Sequence, residues 1–360
     1  MLIIIFTYFK NYLKYVNFFL INFKIRSIMT FITSFNITFF LIPIFIKYFY
    51  KKKISQVIRE NGPITHFVKK KTPTMGGIII LLSIFISVIF WSDLSNKYIL
   101  YILFITFLYF IIGLIDDFYK IILKNSIGLT AYKKLFLQLI TNIFFTLFMF
   151  INNKKELYIR FIIPFTHKII KYNLNIILYI IIYSFIIIII SNSVNLTDGL
   201  DGLAIMPVIF VSLGLTCLSY CTGNIYFSTY FNFVYIKNSK ELIIICLSII
   251  GSGLAFLWYN TYPAKIFMGD VGSLSLGCMI SMIAILIKQE FLFFIMCGIF
   301  VIESFSVIIQ CIKFRYTKKR FFLMAPLHHH YELKGIPEPC IITRFWIVSL
   351  ILILLTFMII

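Results

Sequence analysis

The sequence predicts an all-α, polytopic integral membrane protein of about ten transmembrane helices, and three observations carry that prediction. Of its 360 residues, 61% are hydrophobic and the mean hydropathy is +0.99, more apolar side chain than one soluble core hides. Charged residues make up only 13%, about half the share found in soluble domains. The apolar residues come in long continuous runs, whereas barrel strands alternate apolar and polar with period two. Helices are then the elements that satisfy the backbone in lipid. A soluble enzyme, a disordered chain and a secreted disulfide scaffold are excluded.

A bilayer core about 30 Å thick needs roughly 20 apolar residues per helix. Residues 1–27 open with an apolar run but lack a basic leader and a small-residue cleavage site. They read as a retained N-terminal interfacial segment, not a signal peptide. The first run, 28–46, leads into the basic loop 50–74. The second, 75–91, begins in Thr72-Pro73-Thr74-Met75-Gly76-Gly77. The third, 98–115, ends on Asp116-Asp117. The fourth, 135–151, follows Lys133-Lys134. The fifth, 174–191, leads to the turn 192–202, which opens the sixth, 203–220. The seventh and eighth, 242–259 and 271–287, flank 260–270. The ninth, 291–310, contains the lone Glu303, and the tenth, 341–360, follows loop 311–340.

These runs place loops 50–74, 116–134, 192–202, 260–270 and 311–340 on one side, which carries the majority of the 33 Lys and Arg residues. The positive-inside bias assigns that side to the cytoplasm. Loops on the other side, such as 152–173 and 221–241, are rich in Asn, Lys and Tyr and show no Gly–Asp pattern. No soluble domain is inserted, so residues 1–360 read as a single membrane-embedded domain.

The net charge of +20 suits cytoplasmic loops against anionic lipid first and an anionic substrate second. Nucleic acid is not expected as a partner, because the charge is scattered over several loops. Part of the Lys and Asn excess also reads as AT-rich codon drift. The seven cysteines form no CxxC pair and lie mostly in apolar runs, so neither disulfides nor metal thiolates are expected.

Five of the 13 acids, Asp116, Asp117, Asp198, Asp201 and Asp270, sit at or beside predicted helix ends on the side with the Lys and Arg excess. Asp116-Asp117 ends the third run. Adjacent residues on a helix diverge by about 100°, so both can aim at one atom only where the helix stops. Carboxylates there oppose the helix dipole, so a cation or lysine should compensate them. A solvated helix terminus is the plainer reading.

Residues Asn192 to Gly202 pack two Asp, two Asn and two Gly into one turn. Asp198 and Asp201, three apart, share one face of a first helical turn, and backbone N–H groups there suit phosphate. An N-cap at Thr197 or Asp198 would explain only one or two of these residues. Asp270 falls near a helix start, again an N-cap candidate. Three separate Asp clusters on one face make a hard divalent cation the economical explanation.

His328, His329 and His330 read as an extended loop whose imidazoles alternate in direction, so one or two enter a site. Lys69-Lys70-Lys71 and Lys133-Lys134 are first of all membrane anchors, and beside the aspartates they also suit phosphate. Glu303 is costly in lipid and should face a groove or a partner.

Taken together, TPTMGG (Thr72 to Gly77), GLIDDF (Gly113 to Phe118), NLTDGLDGLA (Asn195 to Ala204), FMGDVGSL (Phe267 to Leu274) and PLHHHYELKG (Pro326 to Gly335) resemble the polyprenyl-phosphate N-acetylhexosamine-1-phosphate transferase family. The last motif is similar to its peptidoglycan branch. Lys71 and Lys265 depart from the Gly and Gln usual there.

The resemblance implies a Mg²⁺-dependent phosphoglycosyl transferase of the bacterial cytoplasmic (inner) membrane, with its active site on the cytoplasmic face. It would transfer phospho-MurNAc-pentapeptide from UDP-MurNAc-pentapeptide to undecaprenyl phosphate, giving lipid I and UMP, and the family suggests a homodimer. By motif matching, Asp270 is the Mg²⁺ ligand, and Asp116, Asp117, His328 and His329 join it in catalysis. Asn192, Asn195, Asp198 and Asp201 match the nucleotide and pyrophosphate loop, with Gly199, Leu200 and Phe267 near the uracil. Lys69, Thr74, Lys134 and Asn260 match polar positions of the same cleft, and Glu303 an acid beside the lipid groove. A sibling transferring GlcNAc-1-phosphate is the nearest alternative. A cation-coupled transporter would instead hold its acids near the bilayer midplane.

Overall fold

The computed structural model describes residues 22–52, 72–123, 128–152, 159–163, 168–172 and 176–360. Its helices are α1 (Phe23–Lys52), α2 (Gly77–Trp91), α3 (Lys97–Leu123), α4 (Ala131–Asn152), α5 (Ile176–Thr197), α6 (Ile205–Thr222), α7 (Ile225–Tyr230), α8 (Leu242–Asn260), α9 (Gly269–Leu286), α10 (Glu290–Met296), α11 (Gly298–Thr317), α12 (Leu327–Leu333) and α13 (Glu338–Ile359). A 3₁₀ turn, Ser239–Glu241, leads into α8. Residues 1–21 of the expected interfacial segment lie outside the described residues, as do 53–71 with Lys69, and residues 23–27 already belong to α1.

Helix occupies all ten apolar runs, but not as ten uniform spans. Among the described residues seven helices are long and apolar enough to cross a membrane: α1, α3, α5, α6, α8, α9 and α13. The ninth run is broken. α10 and α11 meet at Cys297 with a bend of 76°, and counted as one span they make eight. α2, at 15 residues, is shorter than a full span. α4 carries Lys133, Lys134 and Gln138 in its first half and Asn142 at its middle. The loop 152–173 also departs from expectation, because Ile159–Ile163 and Lys168–Tyr172 pair antiparallel as a two-stranded hairpin, β1 and β2.

α9 is the central element. Every residue from Val271 to Leu286 is buried, as expected of a helix apolar on all sides, and α2, α3, α5, α6 and α8 surround it. Short polar bonds tie neighbours together where no hydrophobic effect drives helices to associate. Thr38 Oγ1 donates to Ser83 Oγ (2.7 Å), and Tyr259 OH donates to the Phe39 carbonyl (3.1 Å). Asn142 Nδ2 donates to Tyr109 OH (3.0 Å).

At one end of the bundle the start of α1 meets the start of α8. The Arg26 fork pairs with Glu241 at 2.6 and 3.1 Å and also donates to the Trp91 carbonyl (3.1 Å). At the other end the C-terminal part of α3 meets the start of α9, and there the unusual sequence motifs converge.

Candidate active site

The TPTMGG stretch lies along the approach to α9. Phe267 N–H donates to the Pro73 carbonyl (2.9 Å), while Gly76 and Gly77 N–H donate to the Phe267 and Met268 carbonyls (2.8 Å each). This joint sets the first turn of α9 against α3. Gly269 adopts φ +75°, and a Cβ there would lie 2.5 Å from Asp117 Oδ2, so backbone and close approach both require glycine. Thr74 lies beside the same Gly269. Asp270 is not an N-cap but a helical residue of the first turn, and the capping position, Met268, makes no side-chain cap.

α3 does not stop at Asp116-Asp117 but continues to Leu123. The two carboxylates nevertheless converge, because Asp270 approaches from α9 between their diverging directions. One oxygen from each of Asp116, Asp117 and Asp270 lies within 4.8 Å of the others. Asp116 Oδ1 accepts from Leu129 N–H (2.7 Å) and Asp117 Oδ2 from Val271 N–H (3.1 Å), so one oxygen of each is fixed by backbone.

Two lysines face this group. Lys120 Nζ lies 2.7 Å from Asp116 Oδ2, 2.9 Å from Asp270 Oδ1 and 3.7 Å from Asp117 Oδ1. Lys134, from α4, pairs with Asp270 Oδ2 and lies 3.9 Å from Asp116 Oδ2. Asn195 Nδ2 completes the shell with bonds to Asp270 Oδ1 (2.9 Å) and Ser273 Oγ (2.8 Å).

The segment 192–202 differs from the predicted turn. α5 runs through Thr197, so Asn192 and Asn195 are helical, and only the residues from Asp198 to Ala204 form a turn ahead of α6. Asp198 and Asp201 therefore do not open a helix. Neither Thr197 nor Asp198 caps α6; the Thr197 hydroxyl instead donates to the Ser193 carbonyl (2.8 Å). Asn192 Nδ2 donates to Gln138 Oε1 (2.7 Å) and to the Ile188 carbonyl (2.8 Å).

Asp201 accepts from Ala264 N–H (2.9 Å). Asn260 accepts from Gly202 N–H (3.0 Å) and donates to the Ile266 carbonyl (2.7 Å), so its amide joins the two site loops. Leu200 is buried and Phe267 half-buried. Burial, reinforced by the charges of Asp270, Asp117 and Asp201, pushes the Asp198 carboxyl up to about 8.

The histidine motif is not extended. Leu327–Leu333 is the helix α12, and its histidines point in three directions. Glu303 of α11, fully buried, accepts from Leu327 N–H (2.8 Å) and His328 N–H (3.2 Å) and lies 3.2 Å from His328 Nδ1. A carboxylate from another helix thus caps α12. The partner expected for Glu303 is His328. His328 Nε2 is buried without a partner and lies against Gly199, where there is no room for a Cβ. His329 Nδ1 lies 2.7 Å from Glu332, and His330 Nδ1 accepts from Leu323 N–H (3.1 Å).

Of the residues singled out in the sequence, Asp116, Asp117, Asp270, Lys134 and Asn195 are in direct contact. Thr74 and Asp198 adjoin them, while Asn192, Asp201, Asn260 and Glu303 are engaged in supporting bonds. Lys120, Gln138 and Ser273 were missed. Lys120 had a signal, lying four residues after Asp116 and three after Asp117 on one helix face. Three carboxylates with two ammonium groups seated on their oxygens form a hard-oxygen donor set that fits a divalent cation.

Residues 99–288 match glycosyl transferase family 4. Residues 69–81 match signature 1 of the phospho-N-acetylmuramoyl-pentapeptide-transferases. The chain is 54% identical over 332 residues to the phospho-N-acetylmuramoyl-pentapeptide-transferase of Buchnera aphidicola subsp. Acyrthosiphon pisum (strain APS), covering 92% of both chains. It is 52% identical to that of Buchnera aphidicola subsp. Baizongia pistaciae (strain Bp) over 333 residues, 92% of this chain and 97% of the relative. The chain belongs to glycosyl transferase family 4, within its phospho-N-acetylmuramoyl-pentapeptide-transferase branch.

Proposed function

We propose that the protein transfers phospho-MurNAc-pentapeptide from UDP-MurNAc-pentapeptide to undecaprenyl phosphate, releasing UMP and leaving lipid I in the membrane. The carrying observation is the convergence of Asp116, Asp117 and Asp270 within 4.8 Å, facing Lys120 and Lys134, at one end of a membrane bundle. The Lys and Arg excess of the adjoining loops supports placing that end in the cytoplasm, here of a bacterial inner membrane. Residues 1–360 then act as one membrane-embedded transferase domain, and the homodimer implied by the resemblance belongs to the same proposal.

The reaction exchanges one phosphoanhydride for another, so its equilibrium lies near unity and it needs no ATP. An oxygen of the lipid phosphate attacks the β-phosphorus of the UDP carrier, and the bond from that phosphorus to the UMP oxygen breaks. With a second pKa near about 6, the acceptor phosphate is mostly dianionic at neutral pH. The protein's task is positioning and charge neutralisation.

Asp270, with Asp116 and Asp117, would hold Mg²⁺, which would neutralise charge on the diphosphate. Asp116 or Asp117 orients the acceptor phosphate and takes any remaining proton. Lys120 and Lys134 bring positive charge to the phosphates. Asn192, Asn195 and the turn 198–202 hold the nucleotide side, and His328 offers Nε2 beside Gly199.

The test is UMP release from UDP-MurNAc-pentapeptide, with and without undecaprenyl phosphate and Mg²⁺. Release that needs all three supports the reading. Equal release from UDP-GlcNAc would favour the sibling activity.

A further inference from the structure

Beyond Ser306, helix α11 leaves the packed bundle, and no residue from Val307 to Arg320 is buried. Its exposed side chains change character along the axis. Ile302, Phe305, Ile308, Ile309 and Ile312 present apolar surface. From Lys313 onward five cations follow, Lys313, Arg315, Lys318, Lys319 and Arg320, and no Asp or Glu occurs between Glu303 and Glu332. Among the described residues none of the five enters an ion pair. Exposed Phe314, Tyr316 and Phe321 are interleaved with them, and Lys313 Nζ lies 4.7 Å from the Phe321 ring centre.

This basic turn is built into the fold and is not a loose tail. Gln310 Oε1 accepts the N–H groups of Phe321 and Phe322 (2.9 Å each), and Gln310 Nε2 donates to the Phe322 carbonyl (3.2 Å). Arg320 donates to the Leu323 carbonyl (3.2 Å), and Leu323 N–H donates to His330 Nδ1 (3.1 Å). One end of the turn is therefore fastened to α11 and the other to α12, the helix that carries His328.

Apolar surface followed by aromatic rings interleaved with uncompensated cations is what a chain shows as it passes from hydrocarbon to headgroups. We propose that Lys313 to Arg320 form a headgroup site for anionic phospholipid, which holds the α11–α12 turn, and through it the His328 helix, at the bilayer surface. The site lies outside the carboxylate cluster, whose ion-pair partners are Lys120 and Lys134. Each cation near an anionic surface contributes about fivefold to binding. The patch therefore discriminates strongly between phosphatidylglycerol and neutral phosphatidylcholine.

The test uses the full chain, purified in mixed micelles of the two lipids, with retained lipid counted by mass spectrometry of the intact complexes. Wild-type protein should retain phosphatidylglycerol in preference to phosphatidylcholine. The triple variant Lys318→Gln, Lys319→Gln, Arg320→Gln should lose about a hundredfold of that preference, with an unchanged melting temperature in detergent. The control Lys51→Gln, Lys52→Gln removes two exposed cations at the end of α1, outside the turn, and should lose far less of the preference.

Equal retention by wild type and the triple variant overturns the site. A loss in the control as large as in the triple variant also overturns it, because charge in general would then explain the binding. In bilayers, turnover of wild type should rise with the phosphatidylglycerol fraction and that of the triple variant should not; a flat wild-type response sinks the link to α12. Lipid retention is read without turnover, so its failure is distinct from failure of the proposed transferase reaction.

Discussion

The two ends of the bundle hold charge in opposite ways. At the Arg26 end one cation meets one anion. The guanidinium fork takes both oxygens of Glu241, and Asp93 N–H donates to the same carboxylate at 3.3 Å. At the Asp270 end three carboxylates converge on a common space with two lysines, so like charges are crowded that a structural ion pair would keep apart. Matched charge of the first kind fixes helices α1 and α8. Crowded charge of the second kind is stable only while cations occupy it, which is what a site for metal and phosphate needs. Burial and pairing alone therefore do not mark function; stoichiometry at a shared apex does.

The largest effect is expected at Asp270. Asp270→Asn should lower turnover by at least about a thousandfold at any magnesium concentration. Near-normal UMP release would remove it as a ligand. Asp117→Asn should lower kcat about a hundredfold while leaving KM for the UDP substrate nearly unchanged. A change confined to KM would take Asp117 out of the chemistry.

The opposite end should respond in the other currency. Glu241→Gln leaves the Arg26 charge without its counter-ion where side-chain exposure is only 8%, a loss of about 3 kcal/mol, seen as a lower melting temperature with kcat unchanged. If kcat fell in step with Asp270→Asn, the two ends would not be functionally distinct.

How far the sequence revealed this contrast depends on the residue. Asp116, Asp117, Asp198 and Asp270 stood out because acids are rare in so apolar a chain, and their convergence followed from loop parity. Lys120 was legible in principle from its spacing to Asp116 and Asp117. The helix boundaries were not. Asn192, Ser193 and Thr197 read as turn formers, yet each bonds back to the carbonyl four residues earlier, Ile188, Ile189 and Ser193, and so sits within α5. The histidine helix needed Glu303 as its cap, a contact across 24 residues that no local pattern encodes. The break at Cys297 was hidden because apolar residues continue through it.

A smaller effect is expected at Lys120. With Lys120→Met the three carboxylates keep only Lys134, so the metal-free protein should lose stability and Mg²⁺ should restore more of it. Magnesium should bind about fivefold tighter, because a competing cation is gone. Melting temperatures with and without Mg²⁺ measure this. An unchanged magnesium-induced shift would mean that Lys120 and the metal do not share the space.

The smallest effect lies at the margin of the site. His330 Nδ1 can accept from Leu323 N–H only while the imidazole is neutral. Burial, with Lys334 adding its charge, holds its pKa below the usual histidine value. A depressed folded pKa means the bond's contribution is complete above the unfolded value and is lost as pH falls through the folded one. Protection of the Leu323 amide against hydrogen exchange, corrected for intrinsic rate, should therefore hold at neutral pH and decline in mild acid. His330→Ala should remove that pH step and leave the carboxylate end intact. A step that survived the substitution would place the titrating group elsewhere. The basic turn would then be fastened to α12 by something other than this histidine.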